Sequence, residues 1–136
     1  MSGPSQVPLT ETELADLYKT GMENDFSNLE RFLSELKANV VPSSEILEQA
    51  QSIVHNIKGQ GASFGFPLMT EIGQSFYSLL RHQVELAEIH PTTIKLYEAH
   101  LTAMKSIIAN EIRGEGPELL QKVAASLQEK VDVVIQ

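Results

Sequence analysis

Apolar residues return every three or four positions along nearly the whole chain, and no stretch alternates apolar and polar residues over a useful length. That period belongs to helices with one buried face, and it leaves no place for a sheet. Gly and Pro clusters divide the stripes from one another. Thr10 and Glu13 form a T-x-x-E capping box, followed by Leu14, Leu17 and Tyr18, with Gly21 as the stop of this first helix. Phe26, Leu29, Phe32, Leu33 and Leu36 make a second stripe. Pro42-Ser43-Ser44 breaks it and caps a third helix carrying Ile46, Leu47, Ala50, Ile53, Val54 and Ile57. Gly65-Phe66-Pro67 turns the chain, with Pro67 at a first helical position. Leu68, Ile72, Phe76, Leu79 and Leu80 form the fourth stripe. His90-Pro91 opens a fifth, with Ile94, Tyr97, Leu101, Met104, Ile108 and Ile112, which Gly114-Glu115-Gly116-Pro117 closes. The last helix holds Leu120, Val123, Leu127, Val131 and Val134.

Short loops between such helices predict an all-α fold: an up-and-down antiparallel four-helix bundle with additional N- and C-terminal helices. The chain has 136 residues, 42% of them apolar, enough for one buried core. Residues 1–9, with little to bury, read as a flexible tail, and 10–136 as a single domain. The absence of cysteine excludes disulfides, thiolate chemistry and zinc–thiolate sites. A net charge of −8 argues against nucleic acid as the main partner. No apolar run reaches the length of a membrane span, and MSGPSQVP lacks the layout of a signal peptide. The expectation is a soluble, cytoplasmic monomer.

The segment VHNIKGQGASFGF, residues 54–66, sets glycines directly behind a histidine and a lysine. On a helical wheel advancing about 100° per residue, Ile46, Ala50, Ile53, Ile57 and Phe64 gather opposite His55, with Leu47 and Val54 at one flank. Glu48, Gln51, Ser52, Lys58, Gly59 and Ala62 surround it. His55 therefore points away from the core. A glycine inside a helix costs about 1 kcal/mol relative to alanine. Lys58-Gly59 reads either as a helix stop or as part of a helix that continues towards Gly65-Phe66-Pro67. If the helix continues, Gly59 removes the side chain that would stand beside His55 and obstruct a large partner. Lys58, one turn on, brings a compact positive charge suited to phosphate.

His55-x-x-Lys58-Gly59, followed by Ala62, Phe64 and Gly65, resembles the signature of histidine-containing phosphotransfer (HPt) domains. The likeness extends over the helical layout from Thr10 to Ile112. The wording Ile57-Lys58-Gly59 and Phe64-Gly65-Phe66 is most similar to the phosphoacceptor domain of chemotaxis-type histidine kinases. That subtype carries a histidine and a glutamate on the next helix, and the matching positions here are Gln74 and Tyr77. The resemblance implies that Gln74 or the Tyr77 hydroxyl takes over as hydrogen-bond partner of the acceptor. The missing glutamate speaks against direct phosphorylation at a kinase ATP site and leaves transfer from a receiver domain intact.

The resemblance implies a phosphorelay. His55 would take a phosphoryl group from a receiver aspartate and pass it to another receiver, with Lys58 neutralising charge. Gln51, Ser52, Gly59, Ala62, Gln74 and Tyr77 would surround the site. The partners implied are response-regulator receiver domains or a hybrid histidine kinase. Mg²⁺ would come from the receiver, and the domain would have no cofactor of its own. The chemistry fits: histidine presents a nucleophilic nitrogen at neutral pH, and the intermediate is covalent. No P-loop or Walker lysine is present, so ATP binding is not expected. Leu17, Met22 and Phe26 are candidate partner contacts, though their spacing reads first as core.

Three other readings compete. A di-iron bundle needs Glu-x-x-His, but the residue three before each histidine is Ser52, Leu79, Ala87 or Tyr97. His82, near Glu85, and His90 read as surface residues. A non-transferring helical interaction module would retain the fold without the chemistry. The chain could also be part of a larger histidine kinase.

Overall fold

The computed structural model describes residues 10–38 and 44–136. The tail expected at 1–9, and Pro42 and Ser43 of the expected break, lie outside the described residues. The elements are α1 (Glu11–Ala38), α2 (Ser44–Gln60), a short 3-10 turn (Ala62–Phe64), α3 (Pro67–Val84), α4 (Pro91–Ala109) and α5 (Glu118–Ile135). No strand occurs among the described residues.

Local chemistry sets several helix starts where the sequence places them. The Glu13 backbone N–H donates to Thr10 Oγ1 at 3.1 Å, and the Thr10 N–H donates to Glu13 Oε1 at 3.4 Å. This reciprocal capping box opens α1. Pro67 and Pro91 each occupy a first-turn position, where the missing N–H costs nothing. His90 caps α4: its Nδ1 accepts from the Thr92 N–H at 3.1 Å.

Two boundaries differ from the sequence expectation. Gly21 does not end a helix, so the expected N-terminal extra helix and the next one are a single α1. Its buried stripe, Tyr18, Met22, Phe26, Leu29, Leu33 and Leu36, passes Gly21 without interruption. An interior glycine costs about 1 kcal/mol. Burying one large apolar side chain returns about 1.5–3 kcal/mol, so the stripe outweighs the glycine.

At the other end, α4 stops at Ala109, five residues before Gly114. Glu111 takes a left-handed φ of 49°. The Ile112 N–H donates to the Ile107 carbonyl at 2.9 Å, and the Glu111 N–H donates to that of Ile108 at 3.2 Å. This is a Schellman closure with glutamate in the usual glycine place. Ile112 packs on the core from outside the helix.

The first four helices form the antiparallel bundle. Ion pairs Lys37–Glu98 and Lys105–Glu30 tie α1 to α4, and Lys19–Glu111 ties it to the turn after α4, with the two helices running in opposite directions. Phe76 of α3 stacks on Tyr97 of α4, which in turn meets Phe32 of α1. The core so formed includes Leu29, Val54, Ile57, Ile72, Leu79 and Met104. α5 lays Ala124, Leu127 and Val131 against α3 and α4, so the last helix packs on the bundle.

Candidate functional site

α2 buries Leu47, Ala50, Val54 and Ile57 and leaves Ile46 and Ile53 only partly covered. The buried arc is therefore rotated from the one the wheel gives: Leu47 and Val54 are core residues, not flank. The rotation follows from close packing against α3. A Cβ on Gly73 would lie 3.2 Å from the Lys58 Cα, so the two helices meet with no room for a side chain between them. Lys58 and Gln51 become half-buried along this seam, while His55 and Ser52 stay exposed.

His55 stands on the open face. Among the described residues, neither of its ring nitrogens has a hydrogen-bond partner. Its neighbour is Tyr77 of α3, with ring centroids 5.5 Å apart and planes tilted by 47°. The Lys58 ammonium lies over the same tyrosine ring, 4.8 Å from its centroid. One half-buried aromatic ring thus joins the histidine and the lysine.

Gly59 belongs to the last turn of α2, and a Cβ there would meet nothing within 4 Å. The surface beside His55 is open at this position. Gly61 has the opposite role. A Cβ there would come within 2.8 Å of Thr70 Oγ1 and 2.9 Å of the Phe66 carbonyl oxygen, so the chain needs glycine to pass the start of α3. The helix neither stops at Gly59 nor runs through to Phe64. It ends at Gln60, and the 3-10 turn closes at Gly65 with φ of 92°.

The remaining candidates divide. Gln74 is exposed, and its side-chain amide donates to Ser78 Oγ at 3.4 Å on its own helix. It makes no hydrogen bond to His55, and Tyr77 approaches through its ring rather than its hydroxyl. Ser52 lines a cleft between α1 and α2 with Asp25, Asn28, Ile53 and Asn56. Burial raises the Asp25 carboxyl above the usual aspartate range. Ala62 sits at the end of the bundle beside Ser63, Gly65 and Arg113, and its N–H donates to Thr70 Oγ1 at 2.9 Å. Of the α1 contact candidates, Leu17 is 59% exposed, whereas Met22 and Phe26 are core.

His100, which sequence reasoning did not single out, is fully buried on α4. Its Nδ1 lies 2.7 Å from the Leu96 carbonyl oxygen, an acceptor only, so Nδ1 carries a proton. Its Nε2 lies 2.8 Å from Ser75 Oγ. Burial pushes the imidazole pKa down to about 4, against a smaller opposing effect of the Leu96 hydrogen bond. Gly73 was also missed. Its place inside the apolar run of α3, between Ile72 and Phe76, is a signal of close helix approach.

Among the described residues no group of three His, Cys, Asp or Glu side chains is placed to hold a metal ion. No helix among them is long and apolar enough to cross a membrane. In comparisons with known proteins, no curated protein and no solved structure gave a match. The family model described as "Hpt domain" matches residues 13–107, from the first turn of α1 to near the end of α4. A helical bundle with an exposed, unbonded histidine and a lysine one turn on, matched over most of its length, belongs to the Hpt domain family.

Proposed function

We propose that His55 is the phosphoacceptor of this Hpt domain, taking its phosphoryl group from the aspartate of a receiver domain and returning it to another. Hpt domains act by histidine phosphotransfer in phosphorelays, together with receiver domains and kinases. One observation carries the assignment. Of the four histidines, His55 alone is exposed on a helix face with both nitrogens free of hydrogen bonds to the described residues. His100 is buried, His90 spends Nδ1 on its helix cap, and His82 is half-covered in the last turn of α3.

The transfer balances simply. The lone pair of the unprotonated ring nitrogen forms an N–P bond while the P–O bond to the aspartate breaks. The aspartate leaves as a carboxylate. The proton on the other ring nitrogen stays until the exposed ring gives it to water. Return to a second aspartate reverses each step. Such a reaction needs positioning and charge neutralisation rather than acid–base machinery. In this reading Lys58 meets the phosphoryl oxygens, Mg²⁺ travels with the receiver, and Gly59 leaves the approach clear.

The lack of a hydrogen-bond partner from Gln74 or Tyr77 favours a receiver as phosphate donor over the ATP site of a chemotaxis-type kinase. The test is incubation with a phosphorylated receiver and Mg²⁺, beside His55→Gln and Lys58→Ala. Acid-labile, base-stable phosphate should appear on the wild type, be absent from His55→Gln and form more slowly on Lys58→Ala. Labelling by a kinase with ATP, but by no receiver, would reverse the donor assignment. No labelling from either source would leave a binding module.

A further inference from the structure

Lys58 is held differently from the ion-paired lysines of this acidic chain. Lys19, Lys37, Lys105 and Lys122 each pair with a carboxylate. Lys58 has no carboxylate within ion-pair distance among the described residues. Its ammonium rests instead on the Tyr77 ring, the ring that also contacts His55. The distinction matters for chemistry. A carboxylate would position the lysine but cancel its charge, and would repel an incoming phosphoryl group. An aromatic face attracts the cation through its quadrupole and adds no negative charge.

We infer that Tyr77 is a positioning residue whose aromatic face, not its hydroxyl, holds the Lys58 ammonium beside His55 with its charge unspent. The inference rests on the phosphotransfer reading above. The seam explains how the ring gets there. Gly73, one turn before Tyr77 on α3, lets the backbones of α2 and α3 close up, with a would-be Cβ only 3.2 Å from Lys58 Cα. At that separation Tyr77 lies against the turn of α2 that carries both reacting-site residues. A lysine otherwise spreads its ammonium over many rotamers. Resting on the ring, it has a short path to a phosphoryl group on His55.

The test combines a geometric and a kinetic readout on the full chain. In proton NMR spectra the Lys58 side-chain methylenes should be shifted upfield by the tyrosine ring. The shift should persist in Tyr77→Phe and disappear in Tyr77→Leu. Transfer from a phosphorylated receiver should be slowed about two- to fivefold by Tyr77→Leu, the scale of an exposed cation–aromatic contact, and Tyr77→Phe should restore it. The decisive comparison is the double variant. If Tyr77 acts through Lys58, then Lys58→Ala/Tyr77→Leu is no slower than Lys58→Ala alone.

Independent, multiplying effects would overturn the inference while leaving phosphotransfer intact. So would a Tyr77→Phe variant as slow as Tyr77→Leu, which would give the role to the hydroxyl. An unshifted lysine would overturn the geometry itself. A wild type that no receiver labels would instead remove the underlying reading, whatever the NMR spectra show.

Discussion

His55 and His100 have the same side chain on two helices of one bundle, and the fold makes opposite use of them. His55 lies on the outer face of α2, beside a glycine, with neither nitrogen bonded among the described residues. His100 lies inside α4, its ring against Phe76 and its nitrogens engaged by Leu96 and Ser75. The first can meet a partner but contributes little to packing. The second has no access to a partner, and its removal would leave a cavity and cost its two buried hydrogen bonds. Reactivity at one and structure at the other follow from burial and hydrogen bonding, not from the residue type.

Exchanging the roles gives the largest expected effects. His55→Gln should abolish phosphate labelling, a fall of at least about a hundredfold, while changing unfolding free energy by no more than about 0.5 kcal/mol. His100→Ala should do the reverse, retaining the label but costing about 2–4 kcal/mol in urea unfolding, through the cavity and the lost hydrogen bonds to Ser75 and Leu96. A labelled His55→Gln would break the comparison at once.

Acid should also find the buried histidine. The His100 pKa in the fold is about 4, against 6.5 for the ordinary group. Between these values the unfolded chain binds the proton more readily, so stability rises with pH. The contribution is complete above pH 6.5 and is lost as the pH falls towards 4, by about 3 kcal/mol in all. Urea titrations at about pH 7, above that window, and about pH 4.5, near its acid end, should show most of the loss in wild type and a shallower one in His100→Ala.

The two sides of α2 differ in the same sense at the glycines that border them, Gly73 of α3 and its own Gly59. Gly73→Ala, in the seam, should cost about 1–2 kcal/mol, because the Lys58 backbone must give way. Gly59→Ala, on the open side, should stabilise by up to about 1 kcal/mol, since a Cβ there meets nothing. Thermal melts of the pair should move in opposite directions.

The smallest effect sharpens the account of the interior. The Tyr97 hydroxyl is buried with no hydrogen-bond partner among the described residues, unlike the ring nitrogens of His100. Tyr97→Phe should leave stability unchanged or raise it by about 1 kcal/mol. A clear loss would mean that the hydroxyl has a partner after all.

Features set within a few residues are legible in the chain's own spelling. The Thr10–Glu13 box, Pro67 and His90-Pro91 fix helix starts through bonds that reach no further than the next turn. The outward direction of His55 follows from the period of α2. Gly21 misleads because its local penalty competes with a stripe whose reward comes from other helices. Ile112 misleads in a related way: it is apolar and in phase, but it meets the core after the chain has turned at Glu111.

The candidate site divides along the same line. His55, Lys58 and Gly59 share one helical turn, so their common face can be read from spacing. Tyr77 can be placed near them only by family resemblance, which points to its hydroxyl where the structure shows its ring.

By itself, the sequence determined that this chain is a helical bundle presenting a histidine and a lysine on one exposed turn, because helical period and capping are local. Only the tertiary structure decided which side of that turn is sealed. The depth of the Gly73 seam, the tyrosine ring it brings across, and the burial of His100 each depend on how two helices approach. No single stretch of sequence sets that distance.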